Sequence, residues 1–469
     1  MKFLVPIVIL LGVLVVWFCW DASSPVAGPL NPASKAAPVA FNAMPGGFAA
    51  VANQTGVFSR PLESKNKAAG EKLFELTKDS GITFSNDASR ENKNLLMETG
   101  SGVAIGDFDN DGLNDVYLVG ADVSNRLYRN LGDMKFEDVT EAAGVSAAVD
   151  GKHIDGAGAT FADVDNDGFL DLFVCNMFGP TQLFMNQGNG MFIEQAEQRG
   201  VAYFGAGKVG AFCDYDRDGD LDLYLLTYQD EMTDGKPKVT PTEYYELLRG
   251  KVVRAGELDR FYRNNGDGTF EDYSQQAGIS GFEPGLAVQW LDYNGDGWQD
   301  IYVTSDYHLG DRLYQNMGNG GFENVLPKVV KRTPWFSMGT DFGDLNGDGL
   351  DDFIVVDMAG SSHYKQKVDM GEMQDANWFL SSGAPRQAMK NCVYINSGAG
   401  PFFEVAGATG LGSTDWTWAV RIMDMDNDGQ QDVFMTNGHA RDSMNSDLLA
   451  HNRGPVSYTH LTLPTILRV

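Results

Sequence analysis

Six stretches of this chain set acidic side chains around a glycine at one spacing, D-x-[DN]-x-D-G-x-x-D. Numbered from the first Asp, loop one carries Asp107, Asp109, Asp111, Leu113 and Asp115 at positions 1, 3, 5, 7 and 9. Loop two carries Asp163, Asp165, Asp167, Phe169 and Asp171, and loop three Asp214, Asp216, Asp218, Asp220 and Asp222. Loop four has Asp292, Asn294, Asp296, Trp298 and Asp300, loop five Asp344, Asn346, Asp348, Leu350 and Asp352, and loop six Asp424, Asp426, Asp428, Gln430 and Asp432. Side chains at positions 1, 3 and 5 converge on one point if the backbone turns tightly, and glycine at position 6 permits that turn. Position 7 offers its backbone carbonyl, which leaves its side chain free to vary. Position 9 is Asp in every loop and closes the shell.

An all-oxygen set with three or four carboxylates suits Ca²⁺. Mg²⁺ prefers to keep its waters, and zinc would ask for His or Cys. In Asn294 and Asn346 a neutral oxygen replaces a carboxylate, so loops four and five are expected to bind more weakly. Turn chemistry alone accounts for one such loop, because Asp, Asn and Gly all favour turns. Six loops of identical spacing favour up to six bound calcium ions.

The charge balance agrees. The 469-residue chain has a formal net charge of −29, which argues against a nucleic-acid partner, because phosphate binding needs a basic face. Positions 1, 3, 5 and 9 of the six loops hold 22 Asp, and six divalent ions would take −29 to −17. The acidity therefore has a local origin in ligand chemistry.

The first Asp of successive loops lies at 107, 163, 214, 292, 344 and 424, giving intervals of 56, 51, 78, 52 and 80. A second phrase alternates with the loops, as in "NRLYRNLGDMKFEDVTEAAGV" and "DRFYRNNGDGTFEDYSQQAGI". Its aromatic (Tyr128, Phe184, Tyr262, Tyr314, Tyr394) follows the first Asp by 21, 21, 48, 22 and 50 residues. The two long offsets match the two long intervals, so one unit of 51–56 residues recurs with two insertions at the same point. Each unit holds four strand candidates: a Gly/Ala-rich run into the loop, an apolar run out of it, the Leu-Tyr-Arg-Asn segment and "FEDVT". Four short strands per unit predict an all-β fold, a β-propeller of four-stranded blades, with a solenoid of sheets as the alternative. Small residues on the first strand suit a crowded inner edge. Six units are visible and seven blades are expected, with "LFELTKDSGITF" at Leu73 resembling a fourth strand and "SDLLAHNRG" a weak third strand.

The loops resemble those of FG-GAP/VCBS repeat proteins, whose fold is the propeller of the integrin α-subunit head. The segments "FGDLNGDGLDDFIVVDM" and "STDWTWAVRIMDMDNDGQQDVFMTNGHARD" are similar to bacterial VCBS proteins that often continue into an ASPIC/UnbV domain. The resemblance spans about residues 70–450. It implies calcium in the loops and roles in adhesion or in protein or carbohydrate recognition.

The ends of the chain read differently. "MKFLVPIVILLGVLVVWFCW" is a signal peptide or signal anchor over residues 1–20, with an uncleaved anchor favoured. Either form implies export, to periplasm, cell surface or medium, and the uncleaved form implies a membrane attachment. Residues 21–66 form a Pro/Ala/Ser-rich linker and 67–454 the repeat region. The tail "PVSYTHLTLPTILRV", 455–469, matches no unit and is expected to be non-native, with the repeat region truncated before it.

Catalytic chemistry is not prominent. The six His form no His-x-x-x-His pair, and no Gly-x-Ser-x-Gly occurs. His439 follows a strand end, where a turn hydrogen bond is the simpler role, and Trp416 and Trp418 share one side of a strand and should pack. Cys175, Cys213 and Cys392 sit in apolar strands and are expected as buried thiols, with a Cys175–Cys213 bridge as the alternative. The insertions carry Tyr244, Tyr245, Tyr364, Trp378 and Arg386, and the first has a helical-looking centre. Both should project from one face, where propellers place binding loops. The expected function is a calcium-binding adhesion or recognition module for a protein or glycan. The rival is a propeller enzyme acting on polysaccharide or a quinone-dependent substrate.

Overall fold

The computed structural model describes residues 79–85, 102–120, 123–149, 151, 154–228, 232–233, 236–237, 247–248, 251–252, 256–306, 310–368, 385–398 and 400–438. All of them belong to one compact unit of the chain. The N-terminal apolar run, the linker, His439, "SDLLAHNRG", the tail, Tyr244, Tyr245 and Trp378 lie outside the described residues.

Each repeat unit folds as an antiparallel meander. The first is Val103–Gly106, Asp115–Leu118, Arg126–Asn130 and Phe136–Asp138, hydrogen-bonded in that order. The fourth (Gly285–Leu291, Asp300–Ser305, Arg312–Asn316, Phe322–Asn324) and fifth (Thr340–Gly343, Asp352–Val355, Cys392–Ile395, Phe403–Glu404) repeat the order. The sixth shows its first two strands, Asp415–Met423 and Asp432–Asn437. Every acidic loop joins the first strand of a blade to the second, and the register begins on the position-9 Asp, as in Gly106↔Asp115 and Gly343↔Asp352.

The chain is an all-β propeller, and its inner strands lie side by side in chain order. A Cβ added to Gly102 would sit 2.6 Å from the Cα of Gly158, and one on Gly158 would sit 2.5 Å from the carbonyl of Lys208. Those approaches require glycine. Further round, Trp290 Nε1 donates to Ala211 O at 3.2 Å and Arg421 Nη1 to Asp341 Oδ1 at 3.0 Å. Inner-edge side chains of five blades, including Ala157, Ala206, Leu286, Met338 and Val420, meet in one buried cluster. Trp416 and Trp418 stack at 6.1 Å and pack against that cluster, as expected of packing residues. Between blades aromatics do the filling: Tyr302 of blade four lies 5.2 Å from Phe353 of blade five, which in turn stacks on Tyr394 of its own blade at 4.2 Å between ring centres. Such a pair contributes about 0.5–1.5 kcal/mol beyond its buried area.

Three features depart from a series of separate four-stranded blades. Blades two and three share one eight-stranded sheet, because Asp171–Pro180 runs past its own blade and pairs with Phe204–Cys213 (Met177↔Ala206, Pro180↔Phe204). A one-turn helix follows the fourth strand of five units: Thr140–Ala143, Ala196–Arg199, Ser274–Ala277, Leu326–Val329 and Ala406–Thr409. Four of these end on a left-handed glycine, for example Gly144 at φ 76°. Residues 79–85 carry no strand; they lie against the outer strand of blade one, where Phe136 N donates to Ser80 O at 2.7 Å.

The first insertion is described only in two short hairpins, Met232–Thr233 with Lys236–Pro237 and Leu247–Leu248 with Lys251–Val252. In the second, Arg386–Ala388 pairs in parallel with Arg332–Pro334, and Tyr364 is exposed on the helix His363–Val368. Cys175, Cys213 and Cys392 are buried thiols that form no disulfide with one another, so the bridge alternative does not hold.

Candidate metal centres

The six loops share one backbone hydrogen-bond pattern. The position-1 carboxylate accepts the N–H groups of positions 5 and 6: Asp107 takes Asp111 N at 3.0 Å and Gly112 N at 2.7 Å. Asp163, Asp214, Asp292, Asp344 and Asp424 accept the same pair. Gly112 has φ +87° with open space at its missing Cβ, so the conformation, and not crowding, selects glycine there. The position-5 carboxylate accepts the N–H of position 7, as Asp111 does from Leu113 at 2.9 Å and Asp428 from Gln430 at 2.9 Å.

Position 9 is buried at the root of the second strand in loops one to five, half-buried in loop six, and works in two directions. Asp115 Oδ2 accepts Phe108 N at 3.1 Å, and its Oδ1 accepts Asn130 N from the third strand at 2.7 Å. Asp171, Asp300 and Asp352 repeat both bonds. In loops one, two and six an oxygen of position 9 also lies within 4.8 Å of oxygens from positions 1 and 3, in the trios Asp107/Asp109/Asp115, Asp163/Asp165/Asp171 and Asp424/Asp426/Asp432. In loop three the trio is Asp214/Asp216/Asp218.

The donor set fits a hard cation. Oδ1 of Asp109, of Asp165 and of Asp216 is buried, with no hydrogen-bond partner among the described residues. The other oxygen of Asp109 lies 2.6 Å from Arg129 Nε, and that of Asp165 lies 3.1 Å from Arg199 Nη2. A buried carboxylate oxygen left without a donor is costly, and a cation bound by the trio removes the cost. Electrostatics points the same way. Burial, then the neighbouring carboxylates, push Asp115 and Asp171 up to about 7 and Asp222 up to about 8.

Loops four and five differ. The Asn294 amide donates to Asp296 Oδ2 at 2.8 Å, and the Asn346 amide to Asp348 Oδ2 at 3.0 Å. Here position 3 satisfies position 5 internally. Position 9 is still raised by burial, Asp300 to about 8 and Asp352 to about 7.

Two sets of functional side chains escaped the sequence reading. One is the Asn that ends each third strand. Asn186 Nδ2 donates to Leu170 O of its own loop at 3.0 Å and to Phe108 O of the preceding loop at 2.8 Å. Asn264, Asn316 and Asn396 repeat this bridge to Val164, Tyr215 and Tyr293. The signal was in plain view as the Asn of "LYRN", beside the aromatic that was used to find the period. The other set occupies position 4, where Asn110, Asn166 and Arg217 reach the following loop. At the opposite end of the second strands, buried Asp259 and Asp311 accept Tyr224 and Tyr302 hydroxyls at 2.7 and 2.8 Å, and burial raises both to about 7.

Comparison with known proteins adds the family. A model described as the FG-GAP-like repeat matches residues 107–174, 163–225, 252–303, 292–355 and 379–435, three of the matches beginning on the first Asp of a loop. Cartilage acidic protein 1 of Mus musculus is 27% identical over 265 residues, covering 49% of this chain and 39% of the relative. The Homo sapiens protein of that name is 25% identical over 258 residues, covering 54% and 35%. The chain thus spans well under half the length of these relatives. Among solved structures, an Agrocybe aegerita lectin that recognises non-reducing terminal N-acetylglucosamine aligns with TM-score 0.40 and 17% identity, over 73% of this chain and 77% of the lectin. The V. cholerae biofilm matrix protein Bap1 aligns with TM-score 0.34 and 14% identity, over 67% and 40%.

Proposed function

This chain belongs to the FG-GAP-like repeat family, and on that premise we propose that it is an exported, calcium-braced propeller serving as a binding or adhesion module for protein or glycan. The observation that carries the calcium reading is the set of buried, partnerless Oδ1 atoms of Asp109, Asp165 and Asp216, each beside a position-1 carboxylate. Positions 1, 3, 5 and 9 would hold the ion with the carbonyl of position 7, and the ion supplies the positive charge that these carboxylates lack. Bound there, it staples the first two strands of a blade together at the loop.

A binding role is what the resemblance to repeat proteins of adhesion and recognition implies, and the curated relatives carry the name cartilage acidic protein 1. Tyr364, 59% exposed on the second insertion, is a contact residue of the kind that interfaces favour. Export rests on the N-terminal apolar run. Among the described residues no helix is long and apolar enough to cross a membrane.

Equilibrium dialysis of the metal-free chain against Ca²⁺, followed by glycan-array and pull-down screens with calcium and with chelator, tests the reading. Calcium uptake with a ligand held only in calcium is the expected result. A chain that takes up no calcium, or that turns over a polysaccharide or alcohol, overturns it.

A further inference from the structure

Position 4 of the loops adopts a left-handed backbone, with φ of 57° at Asn110, 58° at Asn166 and 63° at Arg217. The side chain at this position crosses to the next blade. Asn110 Nδ2 donates to Gly168 O at 3.0 Å, and Asn166 Nδ2 to Gly219 O at 3.2 Å and Asp220 Oδ1 at 2.8 Å. Arg217 Nη2 donates to Gly297 O, and its guanidinium lies 4.3 Å from the centre of the Trp298 ring.

The carbonyl engaged is the same each time: it belongs to the peptide between positions 6 and 7. The N–H of that peptide donates to the position-5 carboxylate, Phe169 to Asp167 at 2.9 Å, Asp220 to Asp218 at 3.0 Å and Trp298 to Asp296 at 2.8 Å. One planar peptide therefore joins position 4 of one loop to a candidate ligand of the next. Loops four and five carry Gly295 and Gly347 at position 4, which have no side chain to make the crossing.

We propose that Asn110, Asn166 and Arg217 are positioning residues that couple calcium binding along loops one to four, so that filling one loop raises the affinity of its neighbour. The link is missing from loop four to loop five and from loop five to loop six. This rests on the calcium reading above. The coupling follows from order: an ion held by positions 3 and 5 fixes the position 4 between them, and the next loop then binds with part of its ordering cost already met. The third-strand Asn bridges are not the variable part, because loop four has one as well, from Asn396 to Tyr293 O at 3.2 Å.

Calcium titration of the full chain by calorimetry, with total uptake measured by dialysis, tests the coupling. Asn166→Gly gives loop two the residue that loops four and five already use at φ 70° and 75°. It should keep the number of ions, lower the affinity of the second and third loops about fivefold, the low end of measured couplings, and flatten the isotherm. Gly295→Asn should do the reverse and steepen binding at loop five. An Asn166→Gly isotherm that matches the native one at equal uptake overturns the coupling while the calcium reading stands. No uptake by the native chain overturns both. Should Asn166→Gly fail to melt cooperatively, Gly295→Asn decides, and an unchanged isotherm for that variant overturns the coupling.

Discussion

In loops one and two the third position is a carboxylate with one oxygen on an arginine and the other buried without a donor. In loops four and five the same position is an amide that hands its N–H to the position-5 carboxylate. The backbone pattern around both is alike, down to the two N–H groups on the position-1 Asp. The difference teaches that loop shape and loop charge are set separately. Glycine at position 6 and the Asp at positions 1 and 9 shape the turn. Position 3 decides how far the turn depends on a cation.

The comparison breaks most visibly under chelation. Removing calcium should lower the melting temperature by about 15–20 °C, since a ligand at 100 times its Kd stabilises by about 2.7 kcal/mol per site, up to six sites are lost, and in a chain this long each kcal/mol shifts the midpoint by about 1 °C. Equal melting curves in calcium and in chelator, read by calorimetry, would contradict the picture.

Single loops should then separate. Asp163→Ala is expected to cost about 1 kcal/mol in chelator, where its two backbone N–H bonds are lost, and about 2 kcal/mol more in calcium, with Asp292→Ala showing about half that calcium-dependent excess. Denaturant unfolding with and without calcium measures both, and equal losses in the two media would speak against metal ligation.

A smaller effect is the pH dependence. Burial raises Asp115, Asp171, Asp222, Asp300 and Asp352 to about 7 or 8, so the folded metal-free chain holds these protons more tightly than the unfolded chain. Stability should therefore be greatest below the unfolded carboxylate range and fall as pH rises towards 8. Calcium should flatten that slope without abolishing it, because Asp259, Asp311 and Asp357, raised to about 7 outside the loops, titrate with or without the ion. Melting temperatures from pH 5 to pH 8, with and without calcium, check the sign.

The smallest change converts one class of loop into the other. Asn294→Asp removes the amide bond to Asp296, and should destabilise the chelated chain by about 1 kcal/mol. In calcium it should raise the affinity of loop four. A variant that loses the same stability in both media would show that position 3 does not set the dependence on the ion.

Much of this was legible along the chain. The loop spacing, the recurrence of a unit near 50 residues and the Gly/Ala runs gave the all-β propeller and the inner-edge glycines. The one-turn helices were missed although "TEAAGV" and "SQQAGI" carry their left-handed glycine, because four residues are too few to show a helical period. The fusion of blades two and three was not readable, since strand length past a turn depends on whether a neighbouring edge is there to accept it.

The amino-acid order alone determined which atoms each loop brings to its own centre, because Asp at positions 1, 3, 5 and 9 and Gly at position 6 act within nine residues of one another. Only the tertiary structure decided which loop touches which. The Asn110 amide and its acceptor Gly168 are 58 residues apart, and Asn316 and Tyr215 are 101 apart. No local periodicity records such pairs; they meet because inner strands without side-chain bulk let neighbouring blades close on each other.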